Sequence, residues 1–232
     1  MGLFRPWGLE HSAILAAVVA LPAALGLGTR GNVGRTALVA RVFALLLVGN
    51  ELIWWSFRYR EEGLGVHNLP LQLCDFGVWA AAAASFFRRQ FCFEFAYFAG
   101  LAGGGMALLT PDLWAPWPSY PSVYYFLSHG LTVAAALFLV WGGGMRLTSW
   151  AVGRFLLAAN AYAVLAGVVN AAFQTNYLYL CRKPEAPTIL DYLGPWPWYL
   201  VFGEAIAAAL CLLLWFPFSP RLRSRFAGLT GA

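Results

Sequence analysis

Seven apolar stretches, each long enough to cross a bilayer, occupy most of this 232-residue chain. Their approximate limits are 11–28, 37–57, 70–87, 91–109, 121–141, 149–173 and 197–217. Crossing the hydrocarbon core takes roughly 20 apolar residues as a helix. Lipid offers the backbone no hydrogen-bond partners, so only helices and closed barrels span it. Barrel strands alternate apolar and polar residues, whereas the runs 151–173 and 201–216 are almost continuously apolar. The expected fold is therefore all-α: a polytopic transmembrane helical bundle forming a single integral membrane domain over residues 1–232.

Composition agrees. The chain is 61% hydrophobic and 11% charged, against about 25% charged in a soluble domain. Breakers fall between the runs: Gly28–Gly34, Arg88-Arg89-Gln90, Thr110-Pro111-Asp112 through Tyr120-Pro121, Gly142-Gly143-Gly144, and a long connection 174–196 holding Pro184, Pro187 and Pro195. No period of the kind found in repeat proteins is visible. The first run, preceded by Glu10 and His11, reads as a span and not as a cleavable signal.

Charge sets an expected orientation. With seven spans, the C-terminal side carries Arg30, Arg35, Arg41, Arg88, Arg89, Arg146, Arg154, Arg221, Arg223 and Arg225. The other side carries Arg5, Arg58, Arg60, Arg182 and Lys183. This asymmetry predicts the N-terminus outside and the C-terminus in the cytoplasm. Trp114, Trp117, Trp196 and Trp198 suit an interfacial belt on the outer side. The Arg221, Arg223, Arg225 tail reads as an anchor to anionic lipid and not as a nucleic-acid site. The arginine- and alanine-rich composition suits a bacterial protein, hence the cytoplasmic (inner) membrane.

Inside a span each polar side chain is costly and becomes a functional candidate. These cluster in the outer half: Asn50 and Glu51 in the second run; Gln72, Cys74 and Asp75 opening the third; Ser128 and His129 in the fifth; Asn170, Gln174 and Asn176 ending the sixth; Glu204 in the seventh. Glu94 is expected as an interfacial charge near Arg88 and Arg89. At 1.5 Å rise per residue, Cys74 lies roughly 6 Å below Pro70 and His129 roughly 12 Å below Pro121, so the two sit at similar depth. A thiolate is a strong nucleophile, and an imidazole can take its proton. Gln72, Asn170, Gln174 or Asn176 could donate to an oxyanion, and Asp75 or Glu51 could orient the imidazole. Plainer readings stand beside these. Cysteine also fills cores, Glu51 and Glu204 also form structural pairs, and Cys74 with Cys181 could form a disulfide. Gly100–Gly104 reads as a close helix contact, and His11 and His67 as bland. Neither cysteines nor histidines show metal-ligand spacing, so no metal is expected.

Four segments carry a family resemblance. They are Leu69-Pro70-Leu71-Gln72-Leu73-Cys74-Asp75, the Phe126-Leu127-Ser128-His129-Gly130 stretch, Asn170-Ala171-Ala172-Phe173-Gln174-Thr175-Asn176-Tyr177, and Leu190-Asp191-Tyr192-Leu193-Gly194-Pro195-Trp196-Pro197-Trp198-Tyr199. The chain resembles the YwaF-like integral membrane proteins, related to transmembrane protein 164 of vertebrates. The resemblance implies a membrane-embedded lipid acyltransferase or acyl hydrolase whose essential cysteine and histidine fall on Cys74 and His129. It implies a phospholipid or lysophospholipid substrate in the bilayer, and no cofactor if the donor is itself a phospholipid. The competing classes are an ion- or proton-coupled transporter or channel using Glu51, Glu204 and His129, and a non-enzymatic membrane scaffold.

Overall fold

The computed structural model describes residues 4–113, 115–184 and 188–219. Trp114, Glu185, Pro187, Arg221, Arg223 and Arg225 lie outside the described residues. The described residues are helical, without strands: α1 (Leu9–Thr29), α2 (Val33–Glu62), α3 (Leu73–Phe87), α4 (Gln90–Leu109), α5 (Tyr120–Trp141), α6 (Ala151–Phe173) and α7 (Trp198–Trp215). Six are long and apolar enough to cross a membrane. The third expected span is the exception. Its helix starts at Leu73, not Pro70, and has 15 residues, about 22 Å of rise against a hydrocarbon core of about 30 Å. Gln72 is its N-cap, and the Asp75 carboxylate accepts from the Gln72 N–H at 3.0 Å, closing the first turn.

The chain divides into two compact units, one ending at Met145 and the other beginning at Arg146. In the first, α4 and α5 are the most buried of the long helices. Small residues let them meet: a Cβ on Gly100 would lie 3.2 Å from Thr132 Cγ2, and one on Gly104 would lie 3.7 Å from His129 Cδ2. The Gly100–Gly104 contact is thus made, against α5. Between these glycines α4 widens into a π-helical segment, Ala99–Gly104, a feature common at functional sites. Ala99 also meets α3, where a Cβ on Gly77 would come within 3.3 Å of the Ala99 Cβ.

α1 joins this core through His11, which is fully buried. Its Nδ1 accepts from the Trp7 N–H at 2.8 Å, and its Nε2–H donates to the Leu108 carbonyl at 2.6 Å. Phe4 and Phe126 pack their rings on it. His11 is a structural pin, more specific than a bland interfacial residue. Glu94 is likewise buried, not interfacial, and accepts from Gln90 Nε2 at 2.9 Å.

The second unit pairs α6 with α7. Asn160 Nδ2 donates to Glu204 Oε1 at 2.8 Å between them. Gln174 takes left-handed backbone and ends α6. The following loop is tied by Trp196 Nε1 donating to the Leu180 carbonyl at 3.1 Å and by the Tyr199 hydroxyl donating to the Tyr179 carbonyl.

Candidate functional site

The polar residues of α2, α3 and α5 come together around Glu51. One face of α2 presents Ala40, Phe43, Ala44, Leu47 and Glu51, all buried, at helical spacing. Continuing that face places a carboxyl group inside the core, fully buried. Its Oε1 accepts from the Tyr124 hydroxyl at 2.8 Å and the Ser128 hydroxyl at 3.3 Å. Tyr124 and Ser128 are four residues apart and so share a face of α5. Glu51 Oε2 is buried with no hydrogen-bond partner. The partners of Glu51 in this cluster are the two hydroxyls of α5.

Cys74 lies in the first turn of α3, and the N–H groups of a first turn carry the positive end of the helix dipole. Glu51 is near enough to act electrostatically on both Cys74 and Asp75. Because Glu51 stands eleven residues before the end of α2, about 16 Å along the axis, α3 begins well down the length of α2. This late start brings Cys74 to the level of Glu51 and shortens α3. Cys74 is exposed and Asp75 half-buried.

His129 follows Ser128 on α5 but points to another side, against Gly104 of α4. Its Nδ1–H donates to the Tyr125 carbonyl at 2.8 Å, and the Tyr125 ring packs on the imidazole with centroids 4.6 Å apart. Committing the Nδ1 proton to a carbonyl fixes the tautomer, leaving Nε2 bare. Tyr125 is itself anchored, its hydroxyl donating to the Ala107 carbonyl at 2.9 Å. Among the described residues nothing hydrogen-bonds to Nε2 of His129, and no hydrogen bond joins it to Cys74.

Gln72 is the N-cap beside Cys74. Asn170, in the second unit, is buried and organises the loop after α6. Its Oδ1 accepts from Thr175 Oγ1 and Tyr177 N, each at 2.7 Å, and its Nδ2 donates to the Tyr177 carbonyl at 3.0 Å. Asn176 does the same one turn on, accepting from the N–H groups of Cys181 and Arg182 and donating to the Arg182 carbonyl. Gln174 is exposed. All four cysteines, Cys181 included, are free thiols, and among the described residues no group of histidine, cysteine or acidic side chains could hold a metal. Sequence reasoning missed Tyr124. Its signal was there, one helical turn before Ser128 on the same face, but tyrosine in an aromatic-rich span does not stand out.

No curated protein and no solved structure matches the chain. The family described as the TMEM164 family matches over residues 6–215, from before α1 to the end of α7. Apolar helices of spanning length and this match together show an integral membrane protein, and the chain belongs to the TMEM164 family.

Proposed function

We propose that this protein is a membrane-embedded lipid acyltransferase or acyl hydrolase in which Cys74 is the nucleophile and His129 the base. The observation that carries the reading is the bare Nε2 of His129, set by the Nδ1–H bond to the Tyr125 carbonyl. Exposure of the Cys74 thiol at a helix N-terminus, beside buried polar residues, supports it. So does the resemblance, which puts the essential cysteine and histidine on these positions.

The chemistry runs in two steps. The Cys74 thiol gives its proton to His129 Nε2, and the sulfur attacks the carbonyl carbon of an acyl ester. The C–O bond breaks, the departing oxygen takes the proton from His129, and the acyl group remains on sulfur as a thioester. An acceptor hydroxyl, from a lysophospholipid or from water, then gives its proton to His129 and attacks the thioester, and the thiol is restored. The oxyanion of each step would be met by the Leu73 and Cys74 N–H groups at the start of α3, ahead of the Asp75 and Phe76 N–H groups that donate to the Gln72 carbonyl. Gln72, the N-cap residue two positions before Cys74, would be a side-chain donor. Asn170 and Asn176 would support the loop. With a phospholipid as the donor no cofactor is required, and the lipid would reach the site sideways from the bilayer. The N-terminus would lie outside a bacterial cytoplasmic membrane, placing the site in the outer half.

The test is reconstitution in vesicles with a phospholipid labelled in its acyl chain and an unlabelled lysophospholipid. Wild type should move label to the lysophospholipid or release it as fatty acid, and Cys74→Ala should do neither. Full activity of Cys74→Ala would remove the reading. Glu51 bonds the hydroxyls of Tyr124 and Ser128, and Glu204 the amide of Asn160; a transport reading would instead predict ion movement in vesicles that depends on these carboxyl groups and not on Cys74.

A further inference from the structure

Above Glu51, the same face of α2 continues into Trp54 and Arg58. Trp54 stacks flat on Tyr124, with centroids 4.1 Å apart and planes 9° off parallel. The Arg58 guanidinium lies over the Trp54 ring, 5.8 Å from its centroid. Tyr124 in turn donates to Glu51. A continuous column, Arg58–Trp54–Tyr124–Glu51, therefore runs along α2 down to the buried carboxyl group.

The guanidinium is held in place. Nε and Nη2 donate to Glu62 Oε2 at 3.2 and 2.7 Å, and Nη2 also donates to Asn68 Oδ1 at 2.8 Å. A guanidinium has five N–H donors. Three are used in this way, and among the described residues nothing accepts from Nη1. The side chain is one-quarter exposed. Arg58 is thus an oriented, partly exposed cation with two unused donors. It is also close enough to Asp75 to act on it electrostatically, which ties it to the α3 side.

Its height matters. Arg58 stands seven residues above Glu51 on α2, about 10 Å along the axis. A glycerophospholipid carries its phosphate one glycerol unit above its acyl esters. An ester brought to the level of Cys74 would therefore carry its phosphate up toward Arg58.

We propose that Arg58 binds the phosphate of the lipid substrate through its free Nη1 donors and so sets the depth at which the acyl ester meets Cys74. Arginine suits this role, because its planar donors match phosphate oxygens. Trp54 holds the guanidinium from below, and Glu62 and Asn68 fix its rotation. Arg58 is in this sense a positioning residue for the reaction proposed above, and the inference rests on that reading for its substrate.

The experiment separates the two. Cys74→Ala protein in detergent, which cannot turn over, is dialysed to equilibrium against a labelled lysophosphatidylcholine and against a monoacylglycerol of the same chain. Inorganic phosphate and glycerophosphocholine serve as competitors. With Arg58 intact, the lysophospholipid should bind more tightly than the monoacylglycerol. Adding Arg58→Gln should weaken the lysophospholipid by roughly tenfold to a hundredfold, the worth of a charge-assisted hydrogen bond, and leave the monoacylglycerol unchanged. Arg58→Lys should recover part of the loss. Arg60→Gln removes an equal charge from the exposed side of the same turn and should change nothing. Undiminished lysophospholipid binding by Arg58→Gln, an equal loss in Arg60→Gln, or an equal loss of monoacylglycerol would each overturn the proposal. Inorganic phosphate competing as strongly as the lyso-lipid binds would mean a soluble-anion site and would also overturn it. The acyl-transfer assay of Cys74→Ala decides the catalytic reading independently.

Discussion

Replacing Tyr124 by Phe removes one oxygen from the centre of the first unit and little else. The ring stays, so its stack on Trp54 at 4.1 Å is kept. What goes is the 2.8 Å donation to Glu51 Oε1. The remaining donor, Ser128, stands at 3.3 Å, and Glu51 Oε2 has none. Hydrogen bonds between membrane helices average about 0.6 kcal/mol, because the unfolded helices in lipid find other partners. A bond to a carboxyl group with so little other satisfaction belongs higher, near 1.5–3 kcal/mol. Tyr124→Phe should therefore destabilise the protein by about 1.5–3 kcal/mol. Ser128→Ala, losing the longer bond, should cost less than half of that. The assay is reversible unfolding by SDS in mixed micelles, followed by tryptophan fluorescence. A Tyr124→Phe protein as stable as wild type, or a Ser128→Ala protein less stable than Tyr124→Phe, would refute the account of Glu51 as a hydrogen-bonded tie between α2 and α5.

Other substitutions probe the rest of the scaffold. His11→Ala strands the Trp7 N–H and the Leu108 carbonyl and opens space beneath Phe4; it should cost about 2–4 kcal/mol in the same titration, while His67→Ala, at an exposed loop position, should be neutral. Gly100→Val would press on Thr132 Cγ2, and Thr132 is held by its hydroxyl bond to the Ser128 carbonyl at 2.8 Å. The expected cost is about 1–3 kcal/mol, with Gly103→Ala, which faces open space, near neutral. Asn170→Ala removes three hydrogen bonds from the loop after α6 and should hasten proteolysis between residues 174 and 184, measured by the rate of appearance of the cleaved fragments.

The helical membrane fold was legible because continuous apolar runs have few alternatives in lipid. Six of the seven runs became helices of spanning length. The third did not, because the helix starts after Pro70 and Leu71, at the Gln72 cap. A hydropathy profile counts those residues as apolar whether or not they are helical. The contact through Gly100 and Gly104 was readable because spacing alone puts the two glycines on one face. The Glu51 cluster was readable only in part. Its members span 77 positions in sequence from Glu51 to Ser128, and no local pattern reports which helices pack together. The two histidines show the same limit. His11 and His129 are one residue type in similar apolar settings, yet one is spent on two backbone groups and the other keeps a bare nitrogen. That difference is made by tertiary contacts in the first case and by a carbonyl one turn back in the second. Glu94 looked interfacial because arginines precede it, but α4 is buried on every side from Phe93 to Phe98, Glu94 included.

The central claim is that Cys74 carries an acyl group activated through His129. The most direct measurement is the intact mass of the protein after brief mixing with a phospholipid donor and acid quench. The account predicts one added acyl mass, removed by hydroxylamine, absent in Cys74→Ala and strongly reduced in His129→Ala. An acyl adduct that persists in Cys74→Ala, or one formed equally well in His129→Ala, would contradict it.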